Sequence, residues 1–178
     1  TDDPKVAKIA KKNKCIVIFP RPKTLSNDVA SSFSALYHAA NYMLKKKYDF
    51  DIFAYLQVTE PLRPKNILRD CIENLKKNKN INSSFAGYEV KKNFWFQEKK
   101  NYRMISPFAE SSMPRQKRKP IFREDCGIAL ASRKNVLIIK KKLYANPIKI
   151  VPYLGYEGLL DIHTKKDFFL ATALKKLI

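Results

Sequence analysis

The chain has 178 residues, is 45% hydrophobic and 12% aromatic, and carries 36 Lys+Arg against 16 Asp+Glu, a formal charge of +20. That apolar share supports one packed core and argues against wholesale disorder. No run approaches the roughly 18 apolar residues of a membrane span, and the acidic, polar start does not resemble a secretory signal.

Three cysteines (Cys15, Cys71, Cys126) form no CxxC pair and leave an odd thiol, so a disulfide framework or zinc site is not expected. A reduced, cytoplasmic protein with no membrane association is the expectation. The basic excess suits phosphate groups. Yet 28 of the basic residues are Lys and eight are Arg, in short clusters such as 45–47 and 140–142. Most of these clusters sit where a helix or hairpin would end. A solvated surface and a polyanion site both remain open.

In chain order, Asp3 and Pro4 have the residue types of a helix cap and first helical position, with Val6, Ile9 and Ala10 facing inward. The apolar run 15–19 has the form of a strand buried on both faces. Pro20 and Pro22 break the chain. Val29, Phe33, Leu36, Tyr37, Ala40, Met43 and Leu44 then follow the 3.6-residue helical period. Residues 51–57 form the next buried strand. A helix from Pro64 turns Ile67, Leu68, Cys71, Ile72 and Leu75 inward. Strands are expected at 83–90 and 94–105, the second folding back at 99–101 as a hairpin.

Residues 106–120 are polar, basic and proline-bearing, the composition of a loop or arm. A strand at 127–131, a short helix at 134–142 and a strand at 148–154 follow. Thr164 and Asp167 have capping-box spacing and open a last helix burying Phe168, Ala171, Leu174 and Leu177. Strands alternating with helices predict an α/β fold with a mostly parallel sheet. Ligands in such sheets bind beyond the carboxyl ends of strands. The candidate positions are therefore Arg21, residues 57–63, residues 161–164 and the loop before Gly127.

Each candidate has a functional and a structural reading. Gln57 can donate to and accept from a sugar or base, while Thr59 or Glu60 can simply satisfy a strand-to-helix turn. Arg21, with Ser31 and Ser32 at a helix start, suits an anion, or the serines serve as plain caps. Asp161 and His163 share a face of extended chain and could hold one cation, although imidazole is a poor ligand for Mg²⁺. The alternative is Asp161 bonding loop amides while His163 packs. His38 reads as structural. With two histidines, no nucleophile elbow, no HExxH and no glycine-rich phosphate loop, hydrolase, zincin and P-loop chemistry lack support.

In order, these segments resemble the acylneuraminate cytidylyltransferase family, the CMP-sialic acid synthetases and their relatives. Thr1, Asp2 and Asp3 are similar to the family's STDD. Arg21, Pro22, Leu25, Asp28, Ala30, Ser31 and Ser32 follow its RPxxLxxDxASS. Leu56, Gln57, Thr59, Pro61, Leu62 and Arg63 follow LQPTSPLR. Arg115 and Gln116, with Phe122, Arg123 and Glu124, resemble the RQ and FRENG segments, and Asp161, Ile162, Thr164 and Asp167 resemble IDIDTxxD.

The resemblance implies a three-layer, Rossmann-like nucleotide-diphospho-sugar transferase fold, one domain over 1–178 with a dimerisation arm at about 91–120. It implies CMP transfer from CTP to an acidic, sialic acid-like sugar with Mg²⁺ and release of pyrophosphate, in a homodimer. By position, Arg21 and Ser32 would contact nucleotide, and Gln57, Gln116, Arg123 and Asp125 the sugar. Arg115 and Asp161 would be catalytic, with Asp161 and His163 holding metal. The family's opening strand and basic phosphate loop would precede Thr1. His163 stands where a second metal carboxylate is usual, and Asp125 replaces Asn, a charge expected to disfavour an acidic sugar. A nucleic-acid-binding basic domain using Phe94, Trp95 and Phe96, or an inactive homologue, are the alternatives.

Overall fold

The computed structural model describes residues 1–27, 29–105, 113–155 and 160–176. It divides into two compact units, Thr1–Asp51 with Lys134–Leu143, and Ile52–Arg133 with Tyr144–Ile178.

The second unit is organised around β2 (Ser83–Val90), whose small residues Ser83, Ser84 and Ala86 are fully buried. One edge of β2 pairs in parallel with β7 (Ile148–Tyr153). The other edge is shared by two strands in antiparallel register: β6 (Leu130–Arg133) lies along Ser83–Phe85 and β5 (Ile121–Glu124) along Gly87–Val90. Between them residues 125–129 leave the ladder, while Ala86 still exchanges bonds with Asp125 and Ala129 at 3.0 and 2.9 Å. This wide bulge turns 125–128 away from the sheet edge, the usual effect of extra residues in one strand of a pair. β1 (Ile52–Tyr55) lies antiparallel on the far side of β6.

The sheet is therefore mixed, which corrects the mostly parallel expectation. β1, β2 and β7 run one way and β5 and β6 the other, leaving β2 with β7 as the parallel pair among the described residues. The alternation of helices and strands carried no information on strand direction. The β5–β6 run enters by insertion beside β2, separating β1 from it.

α3 (Ile67–Lys77) covers the sheet with Ile67, Cys71 and Leu75, packed with Ala86, Ile128, Ala129, Ala131 and Tyr153. Each large buried side chain of this kind contributes about 1.5–3 kcal/mol relative to exposure. The helix ends on Arg133, whose guanidinium donates to the carbonyls of Leu75 (2.6 Å), Asn78 (3.1 Å) and Ile81 (2.8 Å). A cation there also opposes the negative end of the helix dipole. In the core, Ser132 Oγ donates to Ser83 Oγ at 2.8 Å, and Ser83 Oγ accepts from the Ala145 amide at 3.0 Å.

β3 (Trp95–Glu98) and β4 (Asn101–Met104) form the expected hairpin, turning through Lys99 at φ 56°. Its aromatic residues Trp95, Phe96 and Tyr102 are exposed. α5 (Lys165–Leu174) opens on the predicted capping box, with Thr164 and Asp167 each bonding the other's backbone amide. Its inner face is narrower than expected: Ala171 is buried, whereas Phe168 is exposed; Leu177 lies outside the described residues.

In the first unit, α1 (Pro4–Lys12) starts as predicted, with the Asp3 carboxylate accepting from the Lys5 and Val6 amides. Its expected inner residues Val6 and Ile9 are exposed. α2 (Ser32–Lys45) is capped by Ser31, and α4 (Lys134–Ile138) packs on it. Residues 15–19 form no strand, contrary to expectation, and Ile16 is 88% exposed. An apolar run makes a strand only when another strand accepts its backbone bonds. None does so among the described residues, and the run lines an apolar hollow of about 320 Å³ with Val6, Ala10 and Ala39.

Candidate functional site

In the second unit three segments meet at the bulge. The chain leaving β1 is tied to it by the Gln57 amide donating to Gly127 O at 2.8 Å. Arg63 reaches back from the same turn, its guanidinium donating to Ile128 O at 3.0 Å and to Gln57 O. The segment before α5 joins through the Ile162 amide, which donates to Thr59 O at 2.8 Å. Backbone pairing therefore brings residues 57–63, 125–128 and 160–164 together, as expected for the ends of strands.

Gly127 leaves room at this junction. A Cβ at that position would fall 1.8 Å from Glu60 Oε2 and 2.1 Å from Gln57 Oε1. The Gln57 and Glu60 side chains thus converge over a bare Cα, and any other residue would push their ends aside. Glu60 is half-buried and its Oε2 is buried without a hydrogen-bond partner. Burial pushes its carboxyl above the ordinary range, and the nearby charges of Asp161 and Asp125 add to this, opposed by Arg63 and Arg123. Desolvation in turn lowers the Arg63 guanidinium.

Beside this lies a second cluster. Asp125 is 6% exposed and accepts two bonds from Arg123, each at 2.8 Å, and one from the Tyr153 hydroxyl. The Arg123 guanidinium stands over the Tyr88 ring, 5.1 Å from its centroid, and Tyr88 meets Tyr153 edge-on. The charge at 125 is thus balanced inside the protein by Arg123. Burial drives the Tyr153 hydroxyl far above its ordinary range, so it remains a donor to Asp125.

Asp161 and His163 lie side by side, with His163 Nε2 2.8 Å from Asp161 Oδ2. The Asp161 side chain is about half exposed. No group of three or more His, Cys, Asp or Glu able to hold a metal occurs among the described residues. Mg²⁺ needs no such cage, since it keeps waters and takes one or two carboxylates together with substrate phosphates. Asp161, a hard donor open to solvent, fits that role, with His163 against its second oxygen.

The remaining candidates belong to other segments. Arg21 is in the first unit, donating to Asp2 at 2.7 Å and to Ser26 Oγ at 3.0 Å. That pairing holds the Asp2 carboxyl below its ordinary range. Ser32 opens α2, one residue after its cap. Arg115 and Gln116 lie in a short 3₁₀ turn, Arg115–Lys117, and Gln116 is exposed; the Arg115 side chain and Asp28 are outside the described residues. His38 stacks edge-on with Phe19, which fits its structural reading. Sequence reasoning missed β5, the Tyr153 contact and the Glu60–Gly127 approach. The apolar pair Ile121 and Phe122 was the one available signal.

No family model and no curated protein matches the chain. Among solved structures, it is similar to CMP:2-keto-3-deoxy-manno-octonic acid synthetase complexed with CTP. The two agree with a TM-score of 0.66 at 14% identity, over 99% of this chain and 79% of that one. At that identity the likeness is one of fold, a mixed α/β architecture shared along nearly the whole chain.

Proposed function

We propose that the chain is a CTP-dependent cytidylyltransferase that transfers CMP to an acidic sugar and releases pyrophosphate. The observation that carries this is the fold likeness, spanning 99% of the chain, to a synthetase solved with CTP. The meeting of Gln57, Arg63, Arg123 and Asp161 at one bulge supports it, because fold alone does not dictate function.

Such transfer is mainly positioning and charge neutralisation. In this reading Gln57 offers an amide to sugar hydroxyls. Arg123, placed over Tyr88 and braced by Asp125, adds a positive charge beside the sugar carboxylate. Asp161 would hold Mg²⁺, oriented by His163, and the ion would neutralise phosphate oxygens. Arg21 and Ser32 serve the nucleotide. Arg115 and Gln116 belong to a dimerisation arm that reaches a neighbouring subunit's site in a homodimer.

The test is CTP-dependent pyrophosphate release with Mg²⁺ and a panel of sialic acids and 2-keto-3-deoxy sugar acids. Release with at least one acid, lost in Asp161→Asn, is the expected result. No release with any of them defeats the reading.

A further inference from the structure

The Glu60 side chain carries a carboxyl oxygen that no hydrogen bond among the described residues accounts for. Its Oε2 is buried and unpartnered, and it flanks the Gly127 Cα together with Gln57 Oε1. With the Gln57 amide oxygen facing it, an ionised Glu60 carboxylate would meet a second acceptor, a repulsion that a proton between them relieves without turning the amide. A buried oxygen is out of reach of a ligand, so that proton serves a protein partner. The charges facing Glu60 come from three segments: Asp161 before α5, Asp125 in the bulge with Arg123 before it, and Arg63 on its own turn. His163 is held against Asp161. Burial of Oε2, the largest of these effects, favours the neutral acid over the charged form.

We propose that Glu60 is a positioning residue for Gln57. Its carboxyl Oε2–H donates to the Gln57 amide oxygen over the bare Cα of Gly127, leaving the amide NH₂ to donate to the bound sugar. The role toward sugar rests on the reading of Gln57 as an acceptor contact; the Glu60–Gln57 link does not. The bond orients an amide whose two ends are otherwise interchangeable. It therefore sets which sugar groups Gln57 can serve, namely acceptors such as a hydroxyl or carbonyl oxygen.

Two measurements test this. In the isotope-labelled full chain without ligand, NMR follows the Glu60 carboxyl and the Gln57 side-chain NH₂ from acid to neutral pH. The expected result is one shared titration that vanishes in Glu60→Gln, with the Gln57 signal left near its acid position. A Gln57 signal that stays fixed while Glu60 titrates overturns the link. Because the wild-type titration needs no substitution, a variant that fails to fold does not remove the test.

In transfer assays, Glu60→Ala should raise the sugar KM about 3- to 10-fold with little change in kcat, the scale of one hydrogen bond. Glu60→Gln, which keeps a donor, should restore it. An unchanged KM in Glu60→Ala overturns the positioning role. A chain that transfers CMP to no sugar defeats the proposed function, and the NMR arm still decides the link.

Discussion

Arg123 grips Asp125 with two parallel bonds, Nε to Oδ1 and Nη2 to Oδ2, both 2.8 Å long. A bidentate, charge-assisted pair of this kind is stronger than a neutral contact and fixes the guanidinium plane. Replacing Asp125 with Asn keeps the shape and removes the charge. Asp125→Asn should cost about 1–3 kcal/mol of stability, read from urea unfolding. In transfer assays it should also raise the KM for acidic sugars, since Arg123 would lose the charged brace that fixes its plane. An unchanged or lower KM would remove the bracing role.

Arg133 closes α3 through three carbonyls belonging to Leu75, Asn78 and Ile81. Arg133→Ala should destabilise the chain by about 1–3 kcal/mol, as two part-buried carbonyls lose a charged donor. Arg133→Lys should recover only part of this, because one ammonium cannot span the same fork. Chemical denaturation checks both values.

The raised carboxyl of Glu60 gives stability a pH dependence of known sign. The folded state holds this proton more tightly than the unfolded chain, whose ordinary value is 4.5. The contribution is complete below that value and is lost as pH rises through the folded one. In thermal melts the difference between wild type and Glu60→Gln should therefore move in favour of the variant as pH rises from acid to neutral. A constant difference would sink the assignment.

The three thiols should differ in reactivity. Cys15 is exposed, whereas Cys71 is buried and its thiol is pushed up to about 11, and burial raises Cys126 as well. A thiol reagent should label one cysteine quickly in the native chain and all three after denaturation. Peptide mapping should find the native label on Cys15.

The hairpin exposes Trp95, Phe96 and Tyr102, an unusual surface for an element meant to face water alone. In the proposed dimer, Trp95→Ser with Tyr102→Ser should shift the chain toward monomer in sedimentation. A wild-type chain that sediments strictly as a monomer would remove the arm's assigned role.

Local chemistry was legible wherever a residue acts on near neighbours in sequence. The Asp3 cap, the Thr164–Asp167 capping box, the inner stripe Ile67, Cys71 and Leu75, and the hairpin turn at Lys99 all form as their spacing demands. Hydrogen-bond reach and helical period act over a few residues, so these features need no knowledge of the rest of the chain. Strand direction, the idle run at 15–19 and the exposed faces of α1 and α5 depend on distant partners, and composition does not name partners. The same holds at the site. Gln57 and Asp161 could be singled out by their place after predicted elements. The bulge that gathers them, the missing side chain at Gly127 and the Tyr153 bond to Asp125 exist only once β5 and β6 share one edge of β2.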